Sequence, residues 1–382
     1  MNLASLTLLL ASTGTATAVW WTVPALSRPT LPFGVAVPEG RVADPAIAHA
    51  RGRYSRTVIA SGVAVTALAF PLVLLLGEAV ALTAATLVLV AVGLAAYLAA
   101  GRAVREAKRA GDWYGGAKQA VTADLSFRTD PVRVPWLALA PAAAIAAATV
   151  VVGFAVPLPE TLPGLQGLDL DGGERVATGF WTAWNPVVAQ GAVTLVTALC
   201  LAGVVRVRPE IDAARPAGTA RRYRVYLRSV CLLGGFIAAC VNLTLLGVAL
   251  RLWEIAPASP VTTALVFAPL VAIAIAHIRF ELKVGTGGHR LPAAPGEADE
   301  DTGLLQRDDD RHWHLGGFVY LNRDDPAVFV HQRAGGAQWT INLGSPGGRL
   351  AGLVIAAITV AASATAALDA LGVLDLPSTA RF

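Results

Sequence analysis

The run Thr57–Gly77, TVIASGVAVTALAFPLVLLLG, is followed by Glu78 and then by Ala79–Ala100, AVALTAATLVLVAVGLAAYLAA. These 44 residues carry one charge. About 20 apolar residues are enough for a helix to cross a hydrocarbon core of roughly 30 Å. The stretch is therefore long enough for two membrane spans, and Gly77-Glu78 supplies the break between them. Similar charge-free runs occupy residues 3–24, 134–156, 180–205, 229–250, 259–278 and 350–371, the last with Asp369 near its end. Placing Asp, Lys or Arg in mid-span costs about 2.5–3.5 kcal/mol, so these runs predict about eight transmembrane helices. The bulk composition agrees. Of 382 residues, 55% are apolar and only 15% charged, against about 25% charged in a soluble domain.

The basic residues predict the orientation. Of the 30 lysines and arginines, 27 fall in the loops 28–56, 101–133, 206–228 and 279–349. The opposite side holds only Arg175, Arg251 and Arg381. Acidic residues divide 18 to 8, giving +9 on one side and −5 on the other. By the positive-inside rule the basic loops are cytoplasmic and both termini lie outside, as in a multi-pass protein of the cell membrane. The net charge of +4 thus reports topology, and no nucleic-acid partner is expected. Tryptophans fit the same picture: Trp20 and Trp21 end the first span, Trp136 opens the fourth, Trp181 and Trp184 open the fifth, and Trp253 ends the sixth, all expected at the interface. The arginine bias and the Ala/Val/Gly richness suggest a GC-rich bacterial genome.

Few polar groups fall deep in the spans. Gln190 and Asn242 sit near the middle of the fifth and sixth and are expected to form intramembrane polar contacts between helices. Pro71 and Pro141 are expected to kink the second and fourth. Cys200, Cys231 and Cys240 lie in apolar runs and read as small buried side chains. No HExxH, GxSxG or Walker pattern is present, so no catalytic residue and no cofactor is expected, and the chain reads as non-enzymatic.

Residues 1–278 are read as the transmembrane domain, with seven of the spans. After them, 279–307 reads as a Gly-, Pro- and acid-rich linker, 308–349 as a cytoplasmic β module, 350–371 as the eighth span and 372–382 as an external tail. Within the linker, Gly285-Thr286-Gly287-Gly288-His289-Arg290 reads as a flexible exit from the seventh span. Three short runs, 311–321, 327–333 and 338–343, are separated by Asn322-Arg323-Asp324-Asp325-Pro326 and Ala334-Gly335-Gly336-Ala337, both rich in turn residues. They predict a three-stranded antiparallel meander, too small to be stable alone and expected to pack on the inner face of the membrane domain or in a homo-oligomer. His312 and His314, two apart, would share a strand face, and with His331 they are candidate metal ligands beside Asp308–Asp310.

The segment Asp308–Leu343, DDDRHWHLGGFVYLNRDDPAVFVHQRAGGAQWTINL, resembles the bacterial module called domain of unknown function 5808. The resemblance rests on Asp310, Arg311, Trp313, Gly316, Tyr320, Asn322, Asp324, Asp325, Pro326, Phe329, Val330, Arg333, Thr340 and Asn342. Proteins of this kind also carry a motif after the first span, here Pro32-Phe33-Gly34-Val35-Ala36-Val37-Pro38, and a cluster before the sixth, here Arg222-Tyr223-Arg224. They often include domain of unknown function 1648, shared with SdpI-type toxin-immunity proteins. Its external loop corresponds to 157–178, where Pro163, Gly167 and Asp169 remain but the expected His and Lys are absent and Arg175 is the only base; that element is degenerate. The resemblance implies a multipass membrane protein and carries over no catalytic residue. It makes Trp313, Tyr320, Asn322, Asp324, Asp325 and Arg333 the expected partner surface of the module.

The fold class read from the sequence is thus an all-α polytopic membrane protein with a small β module in its last cytoplasmic loop. The functional expectation is a membrane sensor, regulator or immunity-like protein whose module binds a cytoplasmic regulatory protein. The alternative is a transporter or channel for a small molecule.

Overall fold

The computed structural model describes residues 3–166, 169–297, 299–335 and 339–370. Gly167, Gly336, Ala337, Gln338, Leu371, the tail 372–382 and Arg381 lie outside the described residues. Among the described residues, eight helices are long and apolar enough to cross a membrane. They are α1 (Leu3–Leu26), α2 (Pro45–Leu76), α3 (Glu78–Ala110), α5 (Ala140–Ala155), α6 (Phe180–Val204), α7 (Pro216–Leu252), α8 (Pro260–Lys283) and α9 (Pro346–Ala370), with a single-turn α4 (Ser126–Thr129) between α3 and α5. Large apolar side chains such as Leu75, Phe154, Leu199, Leu265 and Leu353 stand exposed on these helices, which water would not tolerate and lipid favours.

Several helices outrun the charge-free runs that predict them. The α2 helix starts twelve residues before Thr57, because Asp44 caps it by accepting from Ala46 N at 3.0 Å and Pro45 occupies its first turn, a position where proline costs no hydrogen bond. Thirteen residues before Ser229, Pro216 opens α7, and Glu300 caps it from far along the chain by accepting from Ala217 N and Gly218 N at 2.9 Å each. Charge-free length measures hydrocarbon crossing, whereas caps set the helix ends. Gly77 makes the expected break, with φ 84° between α2 and α3. Pro141 differs from expectation: it falls in the first turn of α5, where it kinks nothing.

Contacts divide the chain into two compact units. The first is Met1–Asp124, Arg208–Tyr223 and Val284–Arg349; the second is Leu125–Val207, Arg224–Lys283 and Leu350–Phe382. In the second unit, Gly235 lets α7 approach the Ala138 carbonyl, where a Cβ would collide. Strands β2 (Thr161–Gln166) and β3 (Asp169–Ala177) form an antiparallel hairpin in the expected external loop. Arg175 anchors it, pairing with Glu254 at 2.7 Å and donating to the Thr161 carbonyl at 2.6 Å. Trp253 is buried there and donates to the Ala183 carbonyl at 2.8 Å, so it is a core residue and not the interfacial ring expected. Cys200 is exposed on its helix, unlike buried Cys231 and Cys240.

In the first unit, strands β1 (Gln119–Ala120) and β4 (Leu305–Gln306) pair in parallel. The expected linker is therefore tied down. Glu297 pairs with Arg221, and Thr302 Oγ1 donates to the Ala213 carbonyl at 2.6 Å. The three-stranded meander is replaced by two-stranded pairs. Strands β5 (Trp313–His314) and β6 (Val319–Tyr320) form one antiparallel pair, and β7 (Phe329–His331) and β8 (Trp339–Ile341) another. A single parallel bridge, Tyr320 to Asn342, joins them. The reason is local: Leu315, Gly316 and Gly317 all take positive φ, at 48°, 67° and 90°. This turn folds the run 311–321 back on itself, and glycine makes it cheap.

That turn meets the Pro32–Pro38 motif. Phe33 is fully buried at φ 51°, with its ring edge-on to Tyr54 and Tyr97 at 5.3 and 5.4 Å. Phe318 lies 5.8 Å from Tyr97. Gly34, at φ +76°, lies where any Cβ would overlap the Gly316 carbonyl, and a Cβ on Gly316 would strike the Tyr97 ring. Gly34→Ala combines overpacking with left-handed strain and is expected to destabilise the purified protein by about 2–4 kcal/mol. Gly40→Ala, with open space around it, is the control in the same detergent melt; equal behaviour of the two would contradict this contact.

Candidate functional site

Three consecutive acids, Asp308, Asp309 and Asp310, precede β5 and face a lysine from the last turn of α3. Lys108 Nζ lies 2.9 Å from Asp308 Oδ2 and 2.6 Å from Asp310 Oδ2. Arg333, just after β7, grips Asp309 with Nη2 and Asp310 with Nη1. Asp310 Oδ1 also accepts the Ala36 amide at 3.0 Å. One carboxylate thus ties together a module arginine, a helix lysine and the Pro32–Pro38 loop. Lys108 and Arg333 are both buried, and the Arg333 guanidinium stacks 5.0 Å from the Trp313 ring centre. Burial alone would raise the Asp310 pKa; the charges of Arg333 and Lys108 outweigh it and hold the carboxyl below its ordinary range. Charges taken this far from water persist only when paired, and breaking such a pair by removing one partner costs about 3–5 kcal/mol.

A second set of partners continues the cluster. Arg28, just past α1, pairs with Glu210 at 2.7 Å and donates through Nε to the Thr286 carbonyl at 3.1 Å. Around Arg28 the turn Gly285–Gly288 closes, with Gly285, Gly287 and Gly288 at positive φ. Because a Cβ on Gly287 would meet the Arg28 guanidinium, the Gly-rich exit from α8 is a buried turn shaped to an arginine, in place of the flexible segment expected. Beside it, the Tyr223 hydroxyl and His331 Nε2 share a hydrogen bond of 2.7 Å. His331 is buried and stacked 5.0 Å from Trp339. Desolvation first, then the positive charge of Arg28, lower its pKa to about 3, with Glu210 acting the other way.

The turn chemistry of the module is spent internally. Asn342 is fully buried; its Nδ2 donates to the Asn322 and Asp325 carbonyls at 3.0 and 2.8 Å, and its Oδ1 accepts the Asn322 and Gly344 amides. Asn322 Oδ1 accepts the Asp324 amide, and Asp325 Oδ1 the Ala327 amide, each at 3.0 Å. Tyr320 stacks on Trp313 at 4.7 Å and donates to Asp325 at 3.1 Å. Arg208 closes the network onto Asp325 at 3.0 Å.

These contacts correct the expected partner surface. Trp313, Tyr320, Asn322, Asp325 and Arg333 are all buried; of the six residues expected there only Asp324 is exposed. They build the module and fasten it to the helix ends. Nor do the three histidines gather. His312 lies in a 3-10 turn and not on a strand, His314 is exposed on β5, and His331 is turned to Tyr223. Among the described residues no group of three or more His, Cys, Asp and Glu is placed to hold a metal ion. Sequence reading missed Arg28, Lys108 and Glu210, which form half the cluster. Nothing local marks them: Lys108 is one of only three lysines in the chain, and its burial among the bases of α3 shows only in the structure.

In the second unit, Gln190 and Asn242 make the interhelical contacts expected of them. Gln190 Nε2 donates to Thr149 Oγ1 at 2.9 Å and to the Asn242 carbonyl at 2.8 Å. Asn242 Nδ2 donates to the Ala142 carbonyl at 2.9 Å and to Thr194 Oγ1 at 3.0 Å. These four hydrogen bonds join α5, α6 and α7.

The chain matches no protein family, no curated protein and no solved structure.

A buried neutral histidine makes stability pH-dependent. The unfolded chain takes up a proton near pH 6.5, whereas folded His331 does so only near pH 3. Stability is therefore complete above pH 6.5 and is lost as pH falls toward 3. Between pH 7 and pH 5 the wild type is expected to lose about 2 kcal/mol more than His331→Gln, which keeps a partner for Tyr223 but cannot titrate. His289, lowered to about 4 by burial, adds a slope of the same sign to both proteins. Parallel melts at the two pH values check this, and identical losses would contradict the burial of neutral His331.

Proposed function

We propose that the protein is a non-enzymatic membrane regulator of the sensor or immunity-like kind, its basic loops and β module facing the cytoplasm and both termini outside. The resemblance of 308–343 to domain of unknown function 5808 supports the reading. The observation that carries it is the cluster around Asp310. The module is fastened by a hydrogen bond to Ser27 just past α1, by ion pairs to the end of α3 and to the segment before α7, and by a hydrogen bond to the start of α7. A shift of any of these relative to the module breaks a buried ion pair or hydrogen bond. Docking therefore depends on the arrangement of the helices, which is what a module reporting their state requires. Its partner is a cytoplasmic regulatory protein, met by the side chains the module leaves exposed: His314, Leu315, Leu321, Arg323, Asp324 and Phe329.

Photo-crosslinking in the host tests this. A crosslinking amino acid replaces Leu321 or Phe329 in the full-length protein, with a buried position, Val330, as background control. The expected result is one reproducible adduct from the exposed positions, with a yield that changes in Arg333→Ala. No adduct above the Val330 background would count against a partner, and an adduct indifferent to Arg333→Ala would count against coupling to docking.

A further inference from the structure

Two populations stand apart among the arginines of the first unit. Arg28, Arg41, Arg208, Arg215, Arg221 and Arg333 each pair with a carboxylate. A second group, Arg51, Arg53 and Arg56 on α2 and Arg102, Arg105 and Arg109 on α3, makes no ion pair among the described residues, and all but half-buried Arg105 are exposed. The two helices are joined through Gly77 and run antiparallel, so the start of α2 and the end of α3 lie at one end of the pair.

Helical spacing arranges these groups. On α3, residues 102, 105 and 109 are three and four apart and form one stripe. The buried residues Tyr97, Val104 and Lys108 define a different face. On α2, Arg53 and Arg56 form a stripe with His49, away from the buried face of Ile47, Ala50, Tyr54 and Val58. Depth follows from the rise of 1.5 Å per residue. The charge-free residues 57–77 and 79–101 each span the hydrocarbon core, which places Arg56 and Arg102 at its edge. Arg53 and Arg105 stand roughly 4.5 Å further out, inside a headgroup layer of about 5–7 Å, and the backbone of Arg109, about 10 Å out, is within a side-chain length of that layer. The only carboxylate interleaved with these stripes is Glu106.

We infer that the two stripes form a binding surface for anionic phospholipid headgroups. The guanidinium fork matches a phosphate diester in two parallel hydrogen bonds. Unpaired guanidinium groups held at headgroup depth on adjacent helices meet that ligand without rearrangement. The two populations thus do different work: the paired arginines fold the first unit, and the unpaired ones fix its depth against a negatively charged leaflet.

The test uses the full-length protein reconstituted with equal amounts of phosphatidylglycerol and phosphatidylcholine, then extracted with its bound lipid and read by native mass spectrometry. One arginine–headgroup contact near the surface is worth about 1 kcal/mol, about a fivefold preference. The wild type is expected to retain phosphatidylglycerol over phosphatidylcholine by that factor or more. Replacing Arg53, Arg56, Arg102 and Arg109 with Gln should abolish the preference while leaving the melting temperature in neutral detergent unchanged, since none of the four supports the fold. Equal retention of the two lipids by the wild type, or undiminished preference in the fourfold variant, would overturn the inference. So would displacement of the retained lipid by millimolar inorganic phosphate, because the stripes would then take a soluble anion.

Discussion

Asp310 is a half-buried carboxylate that serves two cations and one backbone amide at once. Lys108 comes from a membrane helix, Arg333 from the β module, and the Ala36 amide from the loop after α1. Each of the three would be costly to leave alone. An uncompensated buried charge costs several kcal/mol, and a buried amide without an acceptor about 1–3 kcal/mol. The module has four strands of two or three residues and only a small apolar cluster of Trp313, Tyr320 and Val330. That is too little buried area to hold a fold by itself. Its order is borrowed from the helix ends, and the borrowing is electrostatic.

Around this centre the apolar contacts supply fit. Phe33, Tyr54 and Tyr97 pack edge to face, and the Gly34–Gly316 approach brings two backbones to a distance no side chain permits. Apolar packing sets the shape of the joint, while the ion pairs set its registry. A hydrophobic contact tolerates sliding, but a carboxylate with three partners does not.

Much of the transmembrane architecture was legible in the sequence, because the bilayer imposes one demand on every span: about 20 residues without charge. Gly77-Glu78 was readable as a break for the same reason. The helix ends were not, since Glu300 caps α7 from more than eighty residues away and nothing local in the sequence announces it. The meander failed at Leu315-Gly316-Gly317, where an apolar run with strand composition contains its own turn. The resemblance makes a partner surface of residues that the structure buries: Trp313, Tyr320, Asn322, Asp325 and Arg333. Polar residues in a small domain serve turns and internal networks as readily as partners. Lys108 and Arg28 were invisible as site residues because their acidic partners lie about two hundred residues away in sequence.

The central claim is that Lys108 and the Asp310 carboxylate are energetically coupled across the joint between membrane helix and module. A double-mutant cycle on the stability of the purified protein measures this directly, using Lys108→Ala, Asp310→Asn and the two combined. The account predicts that the double variant is more stable than the sum of the single effects by about 1–3 kcal/mol, the range for residues sharing one buried network. Additivity within about 0.5 kcal/mol, as for distant and independent sites, would contradict it.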